Sequence, residues 1–431
     1  MKKRLVLTIL IIFLITGCSN ETVEIKELLK KPRVSDELNK IKVFLDSNYE
    51  NYSLNSPSSG GLNDSIYFKN ILGNNNKEGI VFLKNNQSLD IEILILEKNK
   101  NQNWILNEKI IKNNYTIDKM YFENLDGDNF NELIIGWQGA NHSNKVVNIY
   151  TFDKNNKLIS KLEKNYKEFI VNDLIDKRGL ELFIIEINKN LGLATGYLYS
   201  LNINSKNIQL RDSVQMDGYI NDYYSIKVGK VSKDTKGILL DVSLGAHSSY
   251  TDLIIYENEK LKNIFFNQVW RYTDVTFRKK IIESKDINND GILEIPLIRI
   301  PKIKESEDDF YITQWTRWDK NDSLKYLFES YKDEYNNYEI ILPTYWQSNF
   351  TLDKENRKTT FQYYTSLEDK VINIFEILTV KKEDFLKKQM DYDNYRVIKK
   401  GINFVYLVKF LSKDKKMIDY KWIENNFRII K

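Results

Sequence analysis

Two short stretches of the chain place oxygen-bearing side chains at alternate positions. In one, Asp286, Asn288, Asp290 and Glu294 stand at positions 1, 3, 5 and 9, with Gly291 at position 6. In the other, Asn124, Asp126, Asp128 and Glu132 repeat that spacing, with Asn129 at position 6. Alternating oxygens on a tight turn converge on a hard cation, and a backbone carbonyl, here that of Ile292, adds a ligand. The spacing therefore predicts structural Ca2+ sites. Glycine at position 6 permits the positive φ such a loop requires, and asparagine is the next most tolerant residue. Three carboxylates per loop set a modest affinity, ~10⁻⁴–10⁻³ M. The same residues also build Asx turns, whose oxygens cap their own backbone with no ion. Related turns at 70–78 and 173–181 follow that course, because Leu72 and Asn74, or Ile175 and Lys177, stand where ligands would be.

These turns belong to a repeat of about fifty residues, which dictates the fold. An amide- or acid-rich turn ending in Glu leads into an apolar run at Gly79–Phe82, Leu133–Ile135, Leu182–Ile184 and Ile295–Leu297, and a worn copy at 233–237 leads into Ile238–Leu240. Each interval holds four strand-like runs. In the second unit they are 117–122, 132–137, 145–152 and 157–163; in the fourth they are 224–231, 237–244, 250–256 and 260–266. Four short strands per unit, about five times over, predict a mainly β fold, a β-propeller of about five four-stranded blades across 62–331. The turn lies between the first and second strands of each blade. A β-sandwich would not need one turn at the same place in every unit. The units resemble the FG-GAP or VCBS repeats of integrin-like propellers and of bacterial surface lipoproteins, whose calcium loops share the spacing at 286–294.

The start of the chain states where the protein works. Lys2, Lys3 and Arg4 precede an apolar run from Leu5 to Ile15, and Ile15-Thr16-Gly17-Cys18 closes it with small residues before the only cysteine. The run is shorter than the ~20 residues a spanning helix needs. The pattern is that of a secretory signal over 1–17, and it resembles the lipobox of bacterial lipoproteins. The resemblance implies that Cys18 carries a diacylglyceryl thioether and often a further acyl chain such as palmitate. It also implies attachment to the cell membrane on its extracytoplasmic face. Residues 18–61 then form a lipidated tether and a short helix begun by Ser35, with Leu38, Ile41 and Leu45 on one face.

Composition narrows the function. The formal charge is +4, three units of which belong to Lys2, Lys3 and Arg4. So balanced a chain gives no electrostatic reason to bind nucleic acid. With Cys18 acylated no thiol remains, which excludes disulfides and cysteine nucleophiles. Aromatic residues at 13% argue against disorder. No Gly-x-Ser-x-Gly, P-loop, His-Glu-x-x-His or dinucleotide motif occurs.

The two histidines, His142 and His247, follow the second strands of units two and four. Loops there emerge opposite the acidic turns and predict a partner-binding rim carrying Trp137, Gln138, His142, His247, Asn188–Gly192 and the acidic run 305–309. Gly-Ala-His-Ser is equally good turn chemistry with no ligand. After Tyr331 the repeat stops, and 332–431 reads as a small α+β sandwich domain whose Leu342-Pro343 and Trp346 opening resembles PsbP- and Mog1-type docking modules. The whole predicts a monomeric, lipid-anchored binding or scaffolding protein of the envelope, its partner a protein or glycan. The alternative is a propeller enzyme acting on glycans through a carboxylate pair.

Overall fold

The computed structural model describes residues 35–430 apart from 75, 129, 141–143, 154, 176–178, 202–206, 301–310, 321–322, 347–348, 366–369, 388–391 and 413–417. Cys18, His142 and the acidic run 305–309 lie outside the described residues. Among the described residues the architecture is mainly β, a succession of open antiparallel sheets with three short helices. No helix among the described residues is long and apolar enough to cross a membrane.

The chain divides into two compact units. One contains the described chain up to Ser56 together with Asp64–Lys69 and Asn76–Asn114; the other contains Pro57–Asn63, Asn70–Asn75 and the described residues from Tyr115 on. In the first unit, Ser35 caps the helix Asp36–Asn48 by accepting from Leu38 N at 3.3 Å. Ile41 and Leu45 pack on Val81, Leu83, Leu94, Leu96 and Trp104 of the first sheet. That sheet takes in Tyr52–Leu54 and Ile66–Lys69, both paired with Glu78–Asn85, followed by Ile91–Lys98 and Trp104–Lys112. The helix begun by Ser35 and the strand Tyr52–Leu54 thus belong to a folded core, because the apolar face of the helix has a sheet to cover.

In the second unit, the second sheet is Tyr115–Glu123, Glu132–Gly139, Lys145–Phe152 and Leu158–Asn165 in sequential order. The third is Glu168–Asn172, Glu181–Asn188, Leu193–Leu201 and Ile208–Asp217, and the fourth is Asp222–Lys230, Lys236–Leu244, Ser248–Glu257 and Lys260–Asn263. Cores lie between successive sheets. Ile134, Ile149, Phe169 and Ile184 join the second to the third; Phe183, Met216, Leu240 and Ile254 join the third to the fourth.

The fifth sheet departs from the expected pattern in two ways. The strand before its acidic turn shrinks to one bridge, Lys285 with Glu294. The residues that would form it are used in a short hairpin, Phe266–Asn267 with Tyr272–Thr273, and an irregular strap up to Ser284. The break expected after Tyr331 falls inside the strand Leu324–Asp333. The chain turns at 334–337 and returns as Tyr338–Ile341 in the same sheet, and Phe427–Ile429 adds a fifth strand. Tyr331 and Asp333 are both buried, so the strand cannot end where the repeat does. The remaining sheet, Phe350–Glu355, Lys358–Thr365, Lys370–Lys381, Phe404–Phe410 and Arg396–Lys400, shares a core with it through Tyr331, Tyr338, Phe361, Phe375 and Phe427.

One contact recurs at the turns. The buried glutamate at or directly before the start of the strand after the turn accepts from a backbone N–H near the start of that turn: Glu132 from Leu125 N at 2.7 Å, Glu181 from Leu174 N at 2.8 Å and Ile175 N at 3.2 Å, and Glu294 from Ile287 N at 3.0 Å. Position 4 of the turn is left-handed at Gly73, Gly127 and Asn289, with φ of 76°, 76° and 60°. Glu181→Ala leaves two amides without their acceptor and is expected to lower unfolding free energy by about 2–4 kcal/mol, with Glu181→Gln losing less. Guanidinium denaturation checks this; an alanine variant as stable as the parent would remove the glutamate from any structural role.

Candidate functional site

The two acidic turns fold alike and differ in what sits on them. In the second sheet, Asn124 Oδ1 accepts from Gly127 N at 2.6 Å, Asp126 Oδ1 from Asp128 N at 3.1 Å and Asp128 Oδ1 from Phe130 N at 2.9 Å. Carboxylate oxygens of Asp126, Asp128 and Glu132 lie within 4.8 Å of one another. Burial pushes the Glu132 carboxyl up to about 8, with Asp126 and Asp128 adding to the rise and the Leu125 amide opposing it. Three carboxylates drawn together with so little water favour either a proton or a cation among them. Asp128 and Glu132 also line a cavity of about 350 Å³ with Ile71, Gly73, Phe130 and Lys161, which gives the cluster access to solvent.

The fifth-sheet turn has its own cation. Asp286 accepts from Asp290 N at 3.1 Å and Gly291 N at 2.8 Å, and Gly291 takes the expected left-handed φ of 83°. The Arg317 guanidinium, however, donates to Asp290 Oδ2 at 2.8 Å and to Glu294 Oε1. Burial raises the Glu294 carboxyl while Arg317 opposes the rise. Two of the four expected ligands, Asp290 and Glu294, are therefore held by a side-chain charge, while Asp286 and Asn288 bond within the turn, and among the described residues the one compact acidic trio is that of the second sheet. Residue 317 lies on another strand, so the spacing at 286–294 carried no sign of it.

At the opposite strand ends, loops and links of three sheets converge. A cavity of about 530 Å³ is lined by Gln138, Asn144, Lys145 and Asn165 at the end of the second sheet, Tyr166 and Lys167 of the following link, Glu186 and Lys189 at the end of the third sheet, and Gly218, Ile220 and Asn221 of the next link. Tyr166 hydroxyl donates to Asp118 Oδ2 at 2.6 Å, and Lys145 Nζ stands 2.9 Å from the same oxygen. Burial, with Asp118 beside it, pushes the Tyr166 hydroxyl well above its ordinary range. Glu186 pairs with Lys164 at 2.9 Å, and Lys167 with Asp222 at 2.9 Å. Asn221 Nδ2 donates to Gly245 O at 2.7 Å, which ties in the turn carrying the exposed His247.

Gln138 and Lys189 thus line one cavity, and the turn carrying His247 is joined to its lining through Asn221. No family model matches the chain. Solved structures to which it is similar include the Dos1 propeller, at 10% identity and a TM-score of 0.27, covering 70% of this chain and 66% of that one. Saccharomyces cerevisiae Sqt1 aligns at 8% identity and a TM-score of 0.32, over 85% of this chain and 100% of that one. The β-propeller domain of the Trilobed protease from Pyrococcus furiosus, with its open velcro topology, aligns at 10% identity and 0.25, over 76% and 95%. At such scores the alignments do not superpose one fold on another, and the site stands on its own geometry.

Trp137 requires a correction. It is 0% exposed, paired with Ile117 and Val146 in the middle of its sheet, and cannot stack on a partner. The strand runs on to Gly139, two residues beyond the apolar run that suggested its end. Trp137→Ala is expected to cost about 3–5 kcal/mol of stability, as for a fully buried aromatic side chain. A melting temperature unchanged by that substitution would return Trp137 to the surface.

Proposed function

We propose that this chain is a lipid-anchored, extracytoplasmic binding or scaffolding protein of the bacterial cell envelope. Its four-stranded sheets are read as blades of a β-propeller of FG-GAP or VCBS type, followed by a small α+β module of the PsbP and Mog1 kind. Cys18 is the lipidation site, and the rim cavity beside Gln138 is the surface for an envelope protein or glycan.

The lining of that cavity carries the reading. Amides (Gln138, Asn144, Asn165, Asn221), lysines and Tyr166 dominate it, and among the described lining residues Glu186 is the one carboxylate, already engaged by Lys164. Glycoside hydrolysis uses two carboxyl groups roughly 5–10 Å apart. A lining rich in donors with a single paired acid favours recognition over hydrolysis.

Crosslinking in intact cells tests this. Gln138→Ala with Lys189→Ala should lower partner recovery without lowering the melting temperature, whereas Cys18→Ala should abolish lipid labelling and leave the precursor uncleaved. Full recovery with the rim variant, or labelling that persists without Cys18, would overturn the respective half of the reading.

The acidic turn of the second sheet is read as a structural Ca2+ site of low affinity, held by Asp126, Asp128 and Glu132 with Asn124 shaping the turn. A Kd of ~10⁻⁴–10⁻³ M implies that ~10 mM calcium stabilises the fold by about 1.4–2.7 kcal/mol. Asp128→Ala should remove that increment and Asp290→Ala should retain it, because Arg317 supplies the charge in the fifth turn. No calcium-dependent shift in melting, with no heat of binding, would leave the turn architectural.

A further inference from the structure

Beyond the fourth sheet the chain makes a hydrogen-bonded turn with an exposed tip. Asn267 Oδ1 accepts from Val269 N and Trp270 N, each at 3.0 Å, and Arg271 N donates to Asn267 O at 2.7 Å. This turn holds Val269 and Trp270 at its tip, 81% and 69% exposed. The strap that follows is fastened from inside by polar groups. Thr273 donates to Asp252 at 2.6 Å, Thr276 to Thr251 O at 2.6 Å, and Arg278 to Asp241 at 3.1 Å, with both members of that ion pair fully buried. Facing outward between these anchors are Tyr272, Val275, Phe277 and Ile281. Arg271, Lys279 and Lys280 are exposed beside them, and Asp274 is the only acid from 266 to 281.

Six large apolar side chains on one basic segment face solvent, Val269 and Trp270 for most of their surface and the other four for nearly half of it, an arrangement that water does not favour. Its chemistry is that of an interfacial anchor: tryptophan and tyrosine prefer the headgroup layer, aliphatic tips reach the acyl boundary, and arginine and lysine pair with anionic headgroups. We infer that the hairpin and strap at 266–281 dock on an anionic bilayer, with Val269 and Trp270 inserted at the interface. The inference rests on the reading of Cys18 only in that the anchor would keep such a surface close by.

The test uses the unlipidated chain from Ser19, which keeps every described residue. It is mixed with vesicles of phosphatidylglycerol and phosphatidylcholine in equal parts, or of phosphatidylcholine alone. Trp270 is the one strongly exposed tryptophan, since Trp104, Trp137, Trp315, Trp318 and Trp346 are buried and Trp422 partly so. Expected results are cosedimentation with the anionic vesicles and a blue shift in fluorescence. Val269→Ser with Trp270→Ser should weaken partitioning about tenfold or more at unchanged melting temperature. Gln at Arg271, Lys279 and Lys280 should erase the preference for phosphatidylglycerol. Failure to sediment, or equal partitioning by the double serine variant, overturns the inference, as does a photocrosslinker at 270 that captures protein and no lipid in cells. Lipid labelling at Cys18, measured separately on the full chain, distinguishes loss of this surface from loss of the anchor.

Discussion

A buried carboxylate accepting a backbone amide across a tight turn is the contact on which the sheets depend. Glu132 and Glu181 begin the strand after their turn, Glu294 directly precedes its own, and all three reach back to an N–H near the start of the same turn. The turn is too tight for its inward amides to find a strand partner, and a buried amide without an acceptor costs about 1–3 kcal/mol. The glutamate meets that need and also fixes how far the turn stands from the strand it opens. Because this happens at the same place in successive units, neighbouring sheets present equivalent apolar faces, and the shared cores between them follow.

The same arrangement creates an electrostatic problem, which the chain answers differently in two places. A glutamate drawn under an acidic turn lies beside other carboxylates. In the fifth sheet Arg317 reaches Asp290 and Glu294 from a neighbouring strand. In the second, Asp126 and Asp128 face Glu132, and its carboxyl is pushed up to about 8. In the third, Asp176 and Lys177 lie outside the described residues, and Glu181 bonds to two amides. Turn geometry is thus common to the units, while charge compensation is local, and only the latter bears on whether an ion binds.

That division explains what could be read from the chain. Strands such as 145–152 and 236–244 were legible because apolar runs between turn residues state a buried strand directly. The turns were legible because Asx, Gly and Glu recur at fixed spacing. Arg317 was not, since it meets Glu294 through strand pairing that no local pattern records. Trp137 was misplaced because a continuous apolar run does not show where its strand ends, and two more residues put the indole in the middle of the sheet. The break at 331 was read from the loss of the repeat, yet Asp333 is buried beneath Lys354 and accepts from Asn336, so the fifth sheet continues through it. Loss of a motif marks the end of a pattern and need not mark the end of a sheet.

The strap at 266–284 inverts the usual arrangement of a surface segment. From Thr273 on its buried side chains are Thr273, Thr276, Arg278 and Ser284, bonded to Asp252, Thr251 and Asp241, so charge and hydroxyl groups do most of the holding, with Phe266 buried at its start and Ile282 packed beside Ile287. Breaking one member of a buried ion pair costs about 3–5 kcal/mol, which makes the Arg278–Asp241 contact a firm fastening that uses no apolar surface. Val275, Phe277 and Ile281 are then not needed inside, and they lie outward between the buried polar residues. A loop that merely crossed a sheet edge would gain from the opposite assignment, with valine and phenylalanine buried and threonine and arginine in water. A segment fastened by polar contacts and apolar on its outer side is built to meet something less polar than water.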